Sequence, residues 1–533
     1  MVSHLLVMTC LSRLRIFERL QMKKMEVRCK HYLPLSLGGI ALFLTYIFRY
    51  EMEFSEVPSI QAHKQETIVK YYDCLATLNG IIDRDEENNF IIPPDEVLKS
   101  FSNYVLDCLH YRYTKTIQKY CSQRSRHGSM RNGWNICVDS CYKPTKDDIF
   151  HVLSVHLDSI NKNSVENIHH SKVKQYDTRF FTNKEQISSL FKKDDIHRSM
   201  TRKDVLFVDV GQSTKNVLDQ ILQTGILDDI QQLSIRTFYG DENLMTIDYI
   251  PALNHLRQLY NHGFRIYWSR QEIPCVLKNN PNRTSCIYLD MVRKECKEPM
   301  DTMHPQHLVI PDDKKLISMN KGEREDLYHK YLTSTQVLCK EVIRLGGIKD
   351  GGWDFCNDAK YIPKQPCLVY SFGIFWDFKF DDAIAEEYGC EVHSFDPSMN
   401  STDFKHSEKV WFHNVGLTNK IFYDEKRKWN MSNLKNIRET LGHSLRNISV
   451  LKMDIEWSEW EAIPDMVESG ALRDVTQFYI EFHSYGTLSH LQILRLLYNE
   501  GFRIFWYHRN ENCSFKRPLV EYSICNEVYF LRP

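Results

Sequence analysis

In the carboxyl-terminal half of the chain, apolar runs of strand length alternate with segments of helical periodicity. This alternation is typical of a mostly parallel sheet that carries helices on both faces. Seven strands in this order predict a Rossmann-like α/β sheet, in which ligands bind beyond the carboxyl ends of the strands. The predicted strands are 367–372, 391–395, 410–415, 450–454, 477–482, 502–507 and 528–531, and the predicted helices are 379–388, 456–467 and 490–498.

A similar sequence pattern occurs twice in the chain. Residues 205–275 begin VLFVDVGQSTKNVLDQILQTGILDDI and end GFRIYWSRQEIPC, while residues 450–513 begin VLKMDIEWSEWEAIPDMVESGALRDV and end GFRIFWYHRNENC. The match continues upstream at an unchanged offset, where Trp134 corresponds to Trp353. We therefore expect two tandem domains with the same fold, the first of them degenerate.

A charge-free stretch near the amino terminus predicts a membrane anchor. Residues 32–48 read YLPLSLGGIALFLTYIF, which is close to the lower limit of about 17 residues for a membrane span. Basic residues crowd the stretch before it, and Glu51, Glu53 and Glu56 follow it. This asymmetry predicts a single-pass type II protein of the Golgi or endoplasmic reticulum, with the bulk of the chain in the lumen. A buried core helix and a cleaved signal peptide are the disfavoured alternatives.

Composition limits the partners of the chain. The formal charge is −1, with 68 Lys and Arg against 69 Asp and Glu. The chain has no overall positive charge that would attract nucleic acid, so we expect no nucleic-acid partner. Five Asn-x-Ser/Thr sequons fit exposure to the lumen, where the chain would be a glycoprotein. They begin at Asn282, Asn400, Asn430, Asn447 and Asn512.

Cysteine usage also suits an oxidising lumen, because several of the 16 cysteines recur in register between the two copies. Two disulfides per copy are the expected arrangement, although sequence alone leaves the pairing open. No CxxC pair or His/Cys box is present, so we expect no metal site. The expected disulfides are Cys121–Cys137, Cys275–Cys286, Cys339–Cys356 and Cys513–Cys525.

These patterns divide the chain into six segments. A polar stem follows the anchor, and a proline-rich polar stretch at 298–315 separates the two copies. The expected segments are a cytosolic tail (1–30), a transmembrane signal anchor (31–48), a stem (49–95), a degenerate first domain (96–297), a linker (298–325) and a second domain (326–533).

Candidate ligand-binding residues follow the strands of the second copy. Gly373 ends the first strand, where a residue without Cβ lets the backbone approach a ligand closely. Asp396 ends the second strand, where a carboxylate can accept hydrogen bonds from ribose hydroxyls. Asp454 and Glu456 end the fourth strand and are expected to face the same crevice. With Ser371 beside the glycine, these residues predict a site for a nucleoside cofactor.

Two segments of the second copy closely resemble a known family. Residues 370–398, YSFGIFWDFKFDDAIAEEYGCEVHSFDPS, and residues 451–463, LKMDIEWSEWEAI, resemble the methyltransferase-like protein 24 family, which is related to the FkbM-type S-adenosylmethionine-dependent methyltransferases. The resemblance implies that Gly373 and neighbouring backbone hold the methionine part of S-adenosylmethionine, that Asp396 holds the ribose and that Asp454 lies beside the sulfonium. The chain departs from many methyltransferases by having a single glycine in place of a GxGxG loop.

Methyl transfer to a hydroxyl requires in-line positioning, electrostatic support and a base. The candidate bases are Asp454 and His483, the latter at the end of the fifth strand, with Glu456 as a third catalytic candidate. The alternative is a purely structural His483 that caps the next helix or hydrogen-bonds a loop. Glu481 is expected either to orient His483 or to act as a cap itself.

We therefore expect a membrane-anchored methyltransferase that acts on a hydroxyl-type acceptor, with glycans and small molecules as candidate acceptors. The alternative is a catalytically inactive luminal binding or scaffold protein built from two methyltransferase-like domains. A nicotinamide dehydrogenase is disfavoured, because the chain lacks the phosphate-cradling GxGxxG loop.

The first copy keeps Asp209 as the counterpart of Asp454 but loses the other polar candidates. The stretch from Ser154 to Asp209 is also shorter than the stretch from Gly373 to Asp454. This predicts that the second strand and its ribose-binding carboxylate are missing, so that the first domain is non-catalytic. The replacements are Ser154 for Gly373, Gly211 for Glu456, Arg236 for Glu481 and Phe238 for His483.

Overall fold

The structure is a computed structural model of the 533-residue chain. It describes residues 74, 77–129, 133–155, 165–166, 169–177, 204–295, 308–349, 351–510, 513–516 and 521–533. The predicted cytosolic tail and membrane anchor lie outside the described residues. Within the described part, no helix combines the length and the apolar character that a membrane crossing needs. Residues 69–533 form one compact unit.

The first half of this unit contains a mixed six-stranded sheet in the order β4-β3-β5-β6-β8-β7. Its first four strands are parallel, and β8 and β7 close the sheet in antiparallel pairing. The elements of this half are α1 (Asp95–Leu98), α2 (Asn103–Lys115), β1 (Arg124–His127), β2 (Trp134–Cys137), β3 (Ile149–Ser154), β4 (Lys172–Asp177), β5 (Asp204–Asp209), α3 (Thr214–Gln223), β6 (Ile230–Phe238), α4 (Tyr249–Asn261), β7 (Phe264–Gln271) and β8 (Cys286–Arg293).

The second half contains an eight-stranded sheet in the order β13-β14-β12-β11-β18-β19-β23-β20. The central five strands are parallel, which confirms the predicted α/β class. The elements of this half are α5 (Asp313–Ser318), α6 (Lys321–Leu332), β9 (Val342–Leu345), β10 (Trp353–Cys356), β11 (Leu368–Phe372), α7 (Lys379–Tyr388), β12 (Glu391–Phe395), β13 (Phe404–Lys405), β14 (Val410–His413), β15 (Gly416–Leu417), β16 (Phe422–Asp424), β17 (Trp429–Ser432), α8 (Leu434–Thr440), β18 (Ile448–Met453), α9 (Glu459–Glu468), β19 (Val475–His483), α10 (Leu488–Asn499), β20 (Arg503–Arg509), β21 (Ser514–Lys516), β22 (Glu521–Ser523) and β23 (Cys525–Leu531).

The predicted strands and helices of the second half recur in the structure with small changes of length. The predicted helix 379–388 and strand 391–395 coincide with α7 and β12. The eighth strand of the sheet is the two-residue β13, which sequence periodicity did not predict. The structure also adds a small separate sheet, β15-β17-β16, between β14 and β18.

One expectation for the first half is wrong. Its second strand is present, because β4 pairs in parallel with β3. Ser154 pairs with Asp177 in the same register in which β11 pairs with β12, so Asp177 occupies the backbone position that corresponds to Asp396. The shortening therefore falls after β4, where the second half carries β13 to β17 and α8.

Equivalent buried glutamines join each sheet to the strand pair that precedes it. The side-chain amide of Gln232 donates to the carbonyl of Cys137 (2.9 Å) and accepts from its backbone N–H (2.8 Å). Gln477 does the same for Cys356, at 3.2 Å in both directions. A buried peptide group that would otherwise lack a partner is thereby satisfied in both halves.

The two halves meet through matched tryptophans. The rings of Trp268 in β7 and Trp506 in β20 are stacked, with centroids 3.5 Å apart and an interplanar angle of 19°. The guanidinium of Arg124 lies 3.8 Å from the centre of the Trp268 ring. Backbone bonds also cross between the halves, as from Ile117 N to the carbonyl of Lys340 (2.7 Å). The two halves are therefore packed against each other by aromatic, cation–π and backbone contacts.

A double-mutant cycle on Trp268→Leu and Trp506→Leu is expected to give a coupling free energy of about 1 kcal/mol, because stacked aromatic pairs are worth roughly this amount beyond area burial. Chemical denaturation of the four proteins measures it. The control cycle pairs Trp268→Leu with Trp460→Leu, since Trp460 packs on Phe482 and His490 instead. Equal coupling in the two cycles would contradict a specific Trp268–Trp506 contact.

All four expected disulfides are present in the structure. Between described cysteines, the structure also contains disulfides that were not predicted, Cys74–Cys108 in the first half and Cys367–Cys390 in the second. The sequence comparison could not find them, because neither pair has a counterpart in the other copy.

Candidate functional site

Gly373 follows β11 at the carboxyl edge of the second sheet. Its φ is +74°, a backbone conformation that side chains other than glycine rarely adopt. A Cβ at this position would lie 1.6 Å from the backbone oxygen of Asp454, which follows the neighbouring strand β18. The glycine is therefore required by the close approach of that strand. The sequence prediction had attributed it to the close approach of a ligand.

Asp396 lies at the end of β12, beside Gly373, as predicted. The residue is 4% exposed, and its carboxyl group accepts a hydrogen bond on Oδ2 from the backbone N–H of Phe375 (2.8 Å). Its Oδ1 accepts from the backbone N–H (2.7 Å) and the hydroxyl (2.6 Å) of Ser398. Because a carboxylate has about four acceptor positions, the chain leaves one position on Oδ2 for a ligand.

The structure places Ser371 away from this edge, contrary to its predicted cofactor contact. Ser371 lies within β11 and is 1% exposed. Its hydroxyl faces α7, where burial raises the pKa of Asp381 to about 7 while Lys452 and Ser371 act to lower it. The ammonium of Lys452 donates to the carbonyls of Phe372 (3.1 Å) and Gly373 (2.7 Å), so it fixes the turn after β11.

His483 ends β19 and has a carboxylate at each ring nitrogen. Its Nδ1 lies 3.2 Å from Oε1 of Glu459, which is fully buried, and Nε2 lies 3.5 Å from Oε2 of Glu456. Glu459 also accepts the backbone N–H of His483 (2.7 Å). Burial lowers the pKa of His483, but Glu459, Glu481 and Glu456 together raise it to about 9. The raised pKa favours a protonated ring when no ligand is bound, which disfavours the predicted role of His483 as a base.

Asp454 and Glu481 bring a second pair of carboxyl groups to the same edge. Burial, and then Asp454 and Glu527, raise the pKa of Glu481 to about 9. Burial also raises the pKa of Asp454, although Lys452 counteracts this effect. The Oδ1 atom of Asp454 is buried and accepts no hydrogen bond. Two carboxyl groups whose burial disfavours the charged form therefore lie together here, and Asp454 remains the candidate base.

The loops after three neighbouring strands carry exposed aromatic side chains, which we call the aromatic rim. Three of the four residues, Phe375, Trp376 and Trp457, have positive φ. Such strain in bulky residues is characteristic of ligand-binding loops. The rim was missed in the sequence, where the signal was an aromatic residue shortly after each strand. Its members and exposed fractions are Phe375 (73%), Trp376 (56%), Trp457 (45%) and Tyr485 (49%).

The corresponding edge of the first sheet has different chemistry. Nη1 of Arg236 lies 3.4 Å from Oδ1 of Asp209, and Nη2 lies 3.9 Å from Glu272. Asp209 and Arg236 are paired across β5 and β6, in the positions that Asp454 and Glu481 take in the second sheet. A fixed cation therefore neutralises the carboxylate in the first half.

Residues 291–526 match a family model described as a methyltransferase domain. This part of the chain is therefore methyltransferase-like. Among individual proteins, the chain is similar to "Probable methyltransferase-like protein 24" from human, with 27% identity over 168 residues, which are 29% of this chain and 45% of that protein. The rat protein of the same name is 27% identical over 180 residues, 31% of this chain and 49% of that protein. The chain thus spans about half the length of the curated relatives it matches.

Two solved structures are also similar. The methyltransferase FkbM from Methylobacillus flagellatus KT has 14% sequence identity and a TM-score of 0.22, over 31% of this chain and 43% of that chain. Phosphoethanolamine N-methyltransferase 2 from Haemonchus contortus, in complex with S-adenosyl-L-methionine, has 10% identity and a TM-score of 0.19, over 72% of this chain and 94% of that chain.

Proposed function

We propose that the chain is a membrane-anchored, S-adenosylmethionine-dependent methyltransferase that transfers a methyl group to a hydroxyl-type acceptor, with glycans as the first class to test. The observation that supports this proposal is the arrangement of residues at the carboxyl edge of the second sheet. There Asp396 and Asp454 flank the Gly373 turn at the point where the strand order reverses around β11. Crevices at such switch points bind ligands in open α/β sheets.

The residues at this edge fit a nucleoside cofactor. Asp396 keeps one acceptor position for a ribose hydroxyl after holding Phe375 and Ser398. The ammonium of Lys452 donates to the carbonyl of Gly373. This hydrogen bond holds the backbone of the Gly373 turn in one conformation. When bound, S-adenosylmethionine supplies an electrophilic methyl group. The protein then needs to position the acceptor and to take up its proton.

Asp454 is the residue best suited to receive a hydroxyl proton. Its Oδ1 lacks a hydrogen-bond donor, whereas both nitrogens of His483 already face carboxylates. The excess of carboxyl groups also favours a neutral hydroxyl over an amine, because acidic surroundings keep an amine protonated and non-nucleophilic. The aromatic rim offers flat surfaces on which the ring of a sugar can stack.

We infer that the two halves arose by tandem duplication and that the first is non-catalytic. The matched glutamines, disulfides and strand orders support a common origin. Arg236 lies where the second half has Glu481 and pairs with Asp209. Asp209 is the only predicted catalytic residue that the first half retains. Its ion pair with Arg236 makes it unsuited to act as a base. Anchoring in a secretory membrane with the domains in the lumen rests on residues 31–48 and their charged flanks.

The test is calorimetric titration of S-adenosylmethionine into the purified full-length chain. Asp396→Ala is expected to weaken binding about 10-fold or more, because a lost hydrogen bond to a charged group costs roughly 1.5–3 kcal/mol. Asp424→Ala is the matched control, since Asp424 also holds a turn through two backbone N–H groups but lies in the β16–β17 hairpin. No binding by folded wild-type protein would refute the cofactor and favour the inactive binding protein.

A further inference from the structure

Four carboxyl groups and one imidazole crowd the carboxyl edge of the second sheet. The ligand-type atoms of Asp454, Glu456 and His483 all lie within 4.8 Å of one another. Glu481 lies just behind, with Oε2 3.9 Å from Nε2 of His483, and is 8% exposed. Among the described residues, no lysine or arginine pairs with Asp454 or Glu481. The cluster therefore gathers carboxyl oxygens of Glu456 and Glu481 around Nε2 of His483.

The orientation of His483 suits a metal ligand. Its Nδ1 is held by the buried carboxylate of Glu459, which also accepts the backbone N–H of the same residue. This leaves Nε2 directed at Glu456 and Glu481. A carboxylate behind the histidine is the usual support of a metal-bound imidazole, because it fixes the tautomer and the ring plane.

The first half provides an independent indication of a missing cation. At the equivalent strand positions, Asp209 is paired with the guanidinium of Arg236. In the second half the arginine is replaced by Glu481, so the same edge loses one positive charge and gains a carboxyl group. The carboxylate that an arginine neutralises in one half is left in the other half with a buried oxygen that accepts no hydrogen bond.

We propose that Asp454, Glu456 and His483 bind one divalent metal cation at the carboxyl edge of the second sheet, with Glu481 supporting the site from behind. Two carboxylates and one imidazole favour an oxygen-preferring ion of the Mn²⁺ or Mg²⁺ kind, with water or an acceptor hydroxyl in the remaining positions. Binding of the ion does not depend on the proposed function. Only its use in holding an acceptor hydroxyl beside the cofactor rests on that proposal.

A second cluster, Glu391 with His393 and His443, is a weaker candidate. Its carboxylate already accepts from Nη1 of Arg446 (3.0 Å) and from Nε2 of His393 (2.9 Å). The hydroxyl of Tyr370 is hydrogen-bonded to Nδ1 of His443 (2.8 Å). These partners satisfy the cluster without an added ion, and the arginine would repel one.

The test is titration of Mn²⁺ into the purified full-length chain, with free Mn²⁺ measured by electron paramagnetic resonance. We expect one ion per chain, and at least 10-fold weaker binding in Glu456→Gln and Asp454→Asn. Glu456 is on an exposed loop, so its variant keeps the proposal testable if Asp454→Asn fails to fold. Asp209→Asn is the matched control at the equivalent position of the first half and is expected to bind Mn²⁺ as the wild type does.

Three outcomes would overturn the proposal: no Mn²⁺ binding by folded wild-type protein, binding that survives both substitutions, or equal loss in Asp209→Asn. Competition by Zn²⁺ but not by Mg²⁺ would refute the preference for a hard ion. S-adenosylmethionine is titrated in parallel in the same samples. Cofactor binding without Mn²⁺ binding refutes the metal site alone, and Mn²⁺ binding without cofactor binding refutes the proposed function alone.

Discussion

Replacing Gly373 with alanine is expected to lower the free energy of unfolding by about 3 kcal/mol or more and to abolish cofactor binding. The left-handed backbone costs an alanine roughly 1–2 kcal/mol, and overpacking against a rigid neighbour adds typically 1–3 kcal/mol. The added Cβ would meet the backbone oxygen of Asp454 at 1.6 Å. No side-chain rotation relieves that contact, so β11 and β18 must separate at the edge where the ligand is proposed to bind.

Gly442 offers a closely matched control for this substitution. Its φ of +73° is almost that of Gly373, but nothing lies within 4 Å of its added Cβ. Gly442→Ala should therefore show the backbone cost alone, about 1–2 kcal/mol, and should leave cofactor affinity unchanged. Chemical denaturation and calorimetry of the two variants measure the difference. Equal effects would mean that the close approach of Asp454 does not matter.

Removing the carboxylate behind His483 is expected to have the second large effect. Glu459→Ala should destabilise the chain by about 3–5 kcal/mol, the usual cost of breaking a buried ion pair by deleting one partner. The substitution also deprives the backbone N–H of His483 of its acceptor. Chemical denaturation of the full-length chain measures the loss.

Glu461→Ala, on the exposed side of the same helix, is the control and should change stability by no more than about 0.5 kcal/mol. Glu459→Gln keeps an oxygen for both hydrogen bonds but not the charge, so its effect should lie between the two. If Glu459→Ala and Glu461→Ala were equally stable, the ion pair with His483 would contribute nothing measurable to folding.

These two predictions concern residues that the sequence revealed to different degrees. Gly373 was identified because a glycine that follows an apolar strand is a local signal. Glu459 was missed, because it lies inside a segment correctly predicted as helix and belongs to no sequence motif that would single it out. A signal was nevertheless available, since an acidic residue stood next to Trp460 on the face that the helix buries.

The comparison of the two copies gave correct and incorrect results for one reason. Cysteines that recur in both copies predicted four disulfides correctly, because the matched cysteines make equivalent contacts in the two halves. The length difference between the copies was real, but its assignment to the second strand was wrong. A gap can be placed anywhere between two matched positions, and only the pairing of β4 with β3 located it after Asp177.

The sequence by itself indicated the α/β class, the succession of strands along the chain, the cysteines of four expected disulfides, and the glycine and carboxylates at strand ends. These features depend on local periodicity or on the similarity between two segments of the chain. Both properties are visible in the amino-acid sequence. Only the tertiary structure decided that Trp268 stacks on Trp506, that Ser371 faces a helix and that Glu459 holds His483 beside Asp454. Such contacts join residues far apart in sequence, and their geometry is set by strand pairing and helix packing.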